Sequence, residues 1–440
     1  MMRSLSLLVL LLLSTPLLAE EPTTVKIISL DEALQTASAN QPQLRQAQAT
    51  VAAAKARADE AFAPLLPQAS GTAAYQRLTA NFAPRPGATQ QGVSTSIKST
   101  NSFTTFDYFN FGVSVNQLIY DFSQTKGKYD AAKETITAQE KTERAMVLQV
   151  MLNVRSAYFV ARADKALVKV ARETLENQES HLAQTQGFVD VGTHAEIDLA
   201  LARTNVANAR VQLIMAENNY ETGKAQLNLA MGVEAPTDYD ITDETFSPME
   251  GEDQNLDVLL GEALKARPEF AALENQIRAQ ELTLSSIKGG YWPSLSASTG
   301  LTDAGTQIGK LAWNWNAGLT LTWFLYQGGL TMAQASEAQA NILNLKAQLD
   351  AERNQIRLEV DQARLSVRAT KAATNAADDA IVNAREQLRL AEGRYQTGVG
   401  NAIELSDSQL ALSNALAQKI QAEYNLATAR AQLIKALGRF

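Results

Sequence analysis

Side chains reactive enough for catalysis are scarce in this sequence, and those present do not converge. Among 440 residues there is no cysteine, which removes disulfides, thiolate metal sites and cysteine lipidation. The two histidines, His181 and His194, stand near one turn and read as exposed polar residues rather than metal ligands. No G-x-S-x-G motif or phosphate loop occurs. The pairs Gly289-Gly290 and Gly328-Gly329 fall where helix meets strand, as chain breakers do. Carboxylates number 47 against 39 Lys and Arg, which argues against a phosphate-backbone ligand. The sequence predicts no enzyme, no cofactor, no metal site and no nucleic-acid partner.

The chemistry that is patterned is sidedness. The stretch FGVSVNQLIYDF (Phe111 to Phe122) alternates apolar and polar residues, and AGLTLTWFLYQG (Ala317 to Gly328) repeats the pattern. One face collects Phe109, Phe111, Val113 and Val115, with Trp313, Trp315, Leu319 and Leu321 in the copy. The other collects Asn110, Ser114 and Asn116, with Asn314, Asn316, Thr320 and Thr322. A period of two puts such sets on opposite sides of a strand. Four strands are predicted, at 68–78, 108–120, 294–302 and 313–326. Pro67 and Pro293 begin the first of each pair, where a missing N–H is tolerated. A membrane strand needs about 9–11 residues, apolar toward lipid and polar inward. A soluble sheet with one wet face has the same alternation, but nothing else in the chain would cover the apolar side. Four strands leave two open edges, so other copies must complete the sheet. Two copies give eight strands around a filled interior; three give twelve around a pore, the arrangement favoured here.

The elements that carry these strands come from a duplication. Leu30-Asp31, Pro42 and Pro67 recur as Leu256-Asp257, Pro268 and Pro293 at an offset of 226. Asn110, Gly112, Tyr120, Gly187, Gly192, Ile197 and Gly232 recur at an offset of 206 as Asn316, Gly318, Tyr326, Gly393, Gly398, Ile403 and Gly438. The first repeat must hold the difference of 20 residues, placed between about Leu78 and Thr105. The predicted layout is a signal peptide (1–19, cleaved after Ala19), a first repeat (20–232), an acidic connector (233–257) and a second repeat (258–440). The connector has nine carboxylates and no Lys or Arg, which fits either a solvated link or a small surface domain.

From Gly127 to Gly187 no proline or glycine intervenes, so about 60 residues can run as one helix of roughly 90 Å. Val147, Met151, Val154, Tyr158 and Ala161 form a 4-3-4-3 seam, and Leu148, Leu152, Phe159, Ala163 and Ala166 a second one beside it. Two seams mean neighbours on both sides, as in a ring of helices. Ile197 to Ala230 returns over about 50 Å, and Asp31 to Phe62 adds about 48 Å, which together match the long helix. The fold class predicted is mainly α with a small β part. It is a tandem repeat whose coiled-coil helical barrel continues into a transmembrane β-barrel with four strands per chain, completed by other copies of the chain.

On the duplication, the proline-led strands and the two tips, GFVDVGTHAEIDLALA (Gly187 to Ala202) and GRYQTGVGNAIELSDSQ (Gly393 to Gln409), the chain resembles the TolC family of outer-membrane factors. The second tip shows an aromatic-x-x-Gly turn (Tyr395 to Gly398) and the first a similar turn one residue longer (Phe188 to Gly192), each with a carboxylate six residues after the glycine, at Glu404 and Asp198. The resemblance implies a homotrimer in the outer membrane of a Gram-negative bacterium, with most of its mass in the periplasm. It implies a passive exit duct of a tripartite efflux pump or type I secretion system. Its partners would be a periplasmic adaptor and an inner-membrane pump or ABC exporter. Glu404 and Asp407 fall on acidic entrance positions, Tyr395 on a gating tyrosine, and Asp198 beside them; Gly400 stands where the tyrosine's arginine partner is expected. The tips at Val191, Gly192, Thr397 and Gly398 would dock the adaptor, with Asn110, Ser114, Asn116, Asn316, Thr320 and Thr322 lining the lumen. Phe109, Phe111, Val113, Trp315, Leu319 and Leu321 would meet lipid. The alternative is an exported structural or adhesive coiled-coil protein with no channel.

Overall fold

The computed structural model describes residues 26–79, 103, 105–193, 195–244, 247–249 and 251–440. The predicted signal peptide, His194 and most of the insertion between Leu78 and Thr105 lie outside them. A short strand β1 (Lys26–Ile28) leads into helices α1 (Leu30–Asn40) and α2 (Pro42–Phe62). Ser29 caps α1 by accepting from the Glu32 N–H at 3.2 Å. Taken from the sequence as one stretch, 31–62 is in fact broken: Pro42 forces the preceding Gln41 to an extended ψ of 120°, and α2 restarts with proline at its first turn. The copy breaks identically between α5 (Leu256–Ala266) and α6 (Pro268–Gly289).

Between these pairs lie strands β2 (Gln68–Thr79) and β3 (Thr105–Tyr120), helices α3 (Gln124–Asp190) and α4 (Glu196–Met231), and strand β4 (Tyr239–Ile241). The second repeat continues with β5 (Ser294–Gly305), β6 (Ala312–Thr322), α7 (Leu330–Gln396) and α8 (Ala402–Ala436). At 67 residues each, α3 and α7 are about 100 Å long. α3 packs on α2 and α6 in its upper part and on α4 and α8 in its lower part, while α7 packs on α6 and α8. Both seams of α3 are occupied. Val154, Tyr158 and Ala161 of one, and Leu148 and Phe159 of the other, are buried, with Tyr158 and Phe159 edge-to-face at 5.9 Å.

All four long strands join one antiparallel sheet in the order β2-β3-β5-β6. They are longer at the end away from the helices than the sequence predicts: β2 reaches Thr79, β3 starts at Thr105 and β5 runs to Gly305. β6 is shorter, ending at Thr322 instead of Tyr326. The reason is pairing: Thr322 faces Ser294, the first residue of β5, so Trp323 to Tyr326 have no neighbouring strand within the chain.

The connector is neither a loose link nor a separate domain. Its strand β4 pairs in parallel with β1, an element the sequence did not predict. Its first half is held on the first repeat. Lys165 Nζ donates to Asp240 Oδ2 at 2.8 Å, Tyr220 OH to Asp240 Oδ1 at 2.6 Å, and buried Lys224 to the Thr237 carbonyl at 2.8 Å. Its second half is held on the second repeat. Buried Arg430 donates from Nε and NH2 to Glu252 at 2.9 and 3.1 Å, and Lys371 adds a contact at 3.2 Å. The connector thus straps the two repeats together midway along the helices.

Candidate functional site

The register of the sheet sorts its side chains onto two faces, one mainly polar, with Leu78, Phe106 and Leu118 as its large aliphatic and phenyl exceptions. Across the four strands, Thr72, Gly112, Thr302 and Asn314 form one row, and Ser70, Ser114, Gly300 and Asn316 the next, with Ser70 and Ser114 hydroxyls 3.0 Å apart. Below them run Gln68, Asn116, Ser298 and Gly318, and then Ser296 and Thr320. Thr322 pairs with Ser294 at the foot of this face, and Asn110 lies above it between Ala74 and Ala304. No Asp, Glu, Lys or Arg stands on this face among the described residues. Small size is needed here as well as polarity: a Cβ on Gly112 would stand 3.1 Å from Thr72 Oγ1.

The opposite face carries Phe109, Phe111, Val113, Leu301, Trp315, Leu319 and Leu321. It is open: Val113 is 60% exposed, Trp315 63% and Leu319 72%, and the outer edges of β2 and β6 have no strand beside them in the chain. So large an exposed apolar surface marks contact with lipid or protein.

At the far end of the helices, each hairpin turns on a glycine in the left-handed region, Gly192 at φ 77° and Gly398 at φ 75°. The Thr193 N–H donates to the Phe188 carbonyl and the Val399 N–H to the Arg394 carbonyl, the six-to-one bond of a Schellman turn. Val191 and Val399 stand 73% and 74% exposed at the tips, with Ile197 at 75% and Ile403 at 61% behind them. Thr397, also exposed, returns its hydroxyl to the Gly393 carbonyl at 3.0 Å. Asn401 caps α8 by accepting from the Glu404 N–H at 2.8 Å.

Glu404 and Asp407, three apart on α8, share a shallow groove with Gln387, Arg394, Asn401 and Ser408. Arg394 forms an ion pair with Glu404 at 3.2 Å. Sequence reasoning missed this residue. The arginine it expected, at position 400, was a partner for Tyr395; Arg394 pairs with Glu404 from the other arm of the hairpin, a pairing that the turn at Gly398 could have suggested. Asp198 lies in the first turn of α4. Tyr395 is not at the surface: it is 2% exposed, with His181 at 5.3 Å, Phe188 at 6.4 Å and the Thr185 hydroxyl 3.5 Å from its own. It locks the first hairpin to the second, with Gln178 to Gln409 (2.9 Å) and Asn205 to Ser406 (3.1 Å) in the same seam.

The family model described as outer membrane efflux protein matches residues 33–233 and again 259–439. This chain belongs to the outer membrane efflux protein family. The two matched spans are the two repeats, so the duplication lies within the family fold. Relatives include the toluene efflux pump outer membrane protein TtgC of Pseudomonas putida, 27% identical, covering 93% of this chain and 83% of that protein. Outer membrane protein TolC of Escherichia coli is 25% identical over 93% of this chain and 82% of its own. Among solved structures, the Campylobacter jejuni CmeC outer membrane channel superposes with a TM-score of 0.78 over 93% of this chain and 85% of its own at 19% identity. The OprN outer-membrane channel gives 0.80 over 93% and 90% at 18%. This outer membrane efflux protein is therefore a protein of the outer membrane, with the helical part of its fold extending away from its strands.

Proposed function

We propose that three copies of this efflux protein close their four-stranded sheets into one twelve-stranded barrel, the outer-membrane exit of a tripartite efflux pump. The observation that carries this is the sheet itself. One face is polar and uncharged, the other apolar and exposed, and both edges are open, a combination stable in lipid only once closed. Twelve strands leave an aqueous lumen where eight would fill it with side chains. Asn110, Ser114, Asn116, Asn316, Thr320 and Thr322 line that lumen, whose lack of charge gives it no preference for the sign of a solute. Phe109, Phe111, Val113, Trp315, Leu319 and Leu321 face hydrocarbon.

The helices carry the lumen across the periplasm to the tips. There the exposed Val191, Val399 and Ile197 around Gly192, Gly398 and Thr397 form the surface for a periplasmic adaptor and, through it, an inner-membrane pump. Glu404, Asp407 and Asp198 are the entrance carboxylates; a threefold ring of them, with Arg394 offsetting part of the charge at Glu404, favours cations. Tyr395 acts from within the seam by holding the two hairpins of one chain in register. The test is single-channel conductance of the purified protein in a planar bilayer. A cation-selective conductance blocked by multivalent cations in wild type, with the block lost in Glu404→Ala/Asp407→Ala, is the expected result. An unaltered block removes these residues from the entrance, and no insertion by folded oligomer removes the duct.

A further inference from the structure

The outward apolar face is interrupted by charge at one end only. The charged residues of the four long strands are Arg77, Asp107 and Asp303. All three lie on the apolar face, in its half remote from the helices. Asp303 stands between Phe111 and Trp313. Beyond it come Tyr75 beside Phe109, then Arg77 opposite Asp107. Tyr75 OH donates to Asp107 Oδ1 at 2.9 Å, and Arg77 Nε donates to Thr105 Oγ1 at 2.9 Å while lying 3.9 Å from the same carboxylate. Asp107 and Thr105 thus fix the Nε side of the guanidinium, whose side chain remains 64% exposed.

The depth of this cluster follows from the register. From Leu321 to Trp313 the apolar face spans eight residues of β6. At about 3.4 Å each and a tilt of about 40°, that is roughly 21 Å of height, close to the ~25 Å apolar band of outer-membrane barrels. Hydrocarbon therefore ends near Asp303 and Trp313, and Arg77 stands in the headgroup layer of the outer leaflet. Trp313, 74% exposed, and Tyr75, 58% exposed, are the residue types that settle at such an interface.

We propose that Arg77, braced by Asp107 and Thr105 and flanked by Tyr75, seats a phosphate of an outer-leaflet lipid headgroup, with Asp303 marking the limit of the hydrocarbon beneath it. A planar, fixed guanidinium offers paired donors to a phosphate, and the surface below it is continuous with the lipid-facing wall. With Asp107 beside the arginine and Asp303 two rows below on the same face, the rim has no net positive field, so the contact is a local one between headgroup and guanidinium. This seat presupposes the proposed barrel.

The test uses the full-length protein, reconstituted with a bis-phosphorylated disaccharide lipid or its dephosphorylated form, and counts retained lipid by native mass spectrometry. Wild type and Lys169→Gln, an exposed charge on α3 far from the rim, should retain the phosphorylated form about five-fold better, and Arg77→Gln should bring the ratio near one. That preference should survive removal of divalent cations. A wild-type ratio near one, no change in Arg77→Gln, or loss of preference on chelation alone overturns the seat; the wild-type arm holds even if the variant fails to fold. The same preparations in planar bilayers separate the two levels. Conducting channels with no phosphate preference overturn the rim alone, whereas no insertion overturns the barrel and the rim together.

Discussion

Arg430→Ala should release the connector from the second repeat while leaving its hold on the first. In the native chain, Glu252 accepts two bonds from Arg430, one from Lys371 and one from the Met249 N–H at 3.2 Å. Both Glu252 and Arg430 are buried. Burial by itself raises the Glu252 pKa, but the hydrogen bonds from Arg430, Met249 and Lys371 outweigh it, and the carboxyl is held below its usual range. Removing one partner of a buried pair costs about 3–5 kcal/mol. Lys371 and the Met249 N–H still serve Glu252 in the variant, so the lower figure of about 3 kcal/mol applies, or on the order of a 100-fold rise in local opening. Hydrogen exchange of peptides covering 247–260 reads this directly, with peptides around β1 and β4 as the internal reference. Lys371→Ala, whose side chain is 44% exposed, should raise exchange there far less than Arg430→Ala does. Exchange at 247–260 within three-fold of wild type in Arg430→Ala would refute the idea that this ion pair holds the strap.

At the other half of the strap, burial raises the Asp240 pKa but the bonds from Lys165 and Tyr220 outweigh it, leaving it lowered. Its contribution is therefore full above the unfolded aspartate value of about 4 and is lost as pH falls through the lower folded value. Protection of β1 and β4 amides should drop as pH falls below about 4 in wild type, and less steeply in Lys165→Met. Tyr395→Ala should cost about 3–5 kcal/mol locally by leaving a hole against His181 and Phe188, raising exchange at 181–188 and enlarging the single-channel conductance. Tyr395→Phe, which keeps the ring and loses the hydroxyl 3.5 Å from that of Thr185, should stay closer to wild type than Tyr395→Ala in both. Gly398→Val has open space for its Cβ, so its cost is the left-handed backbone alone, about 1–2 kcal/mol. It should appear as faster proteolytic nicking at that tip with unchanged strand protection.

Much of this protein is legible in its sequence because its signals are periodic and doubled. The alternation at Phe109 to Asn116 fixes which side chains share a face whatever the strand's neighbours, since a strand's period does not depend on its partners. The 4-3-4-3 seams of α3 likewise require helical neighbours, and the glycines at 192 and 398 require turns. The recurring prolines at 42 and 268 marked equivalent positions, and their local effect on the preceding residue breaks each helix there. Tertiary structure decided everything that depends on residues distant in sequence. It paired β4 with β1, whose three-residue strands are too short to show a period. It ended β6 at Thr322 because the partner strand starts there, placed Arg394 against Glu404 across a turn, and buried Tyr395 between two hairpins. The acidic composition of the connector pointed to solvent, yet Asp240 and Glu252 face cations on α3, α7 and α8. Charge composition counts the carboxylates; only the fold says which of them meet a partner.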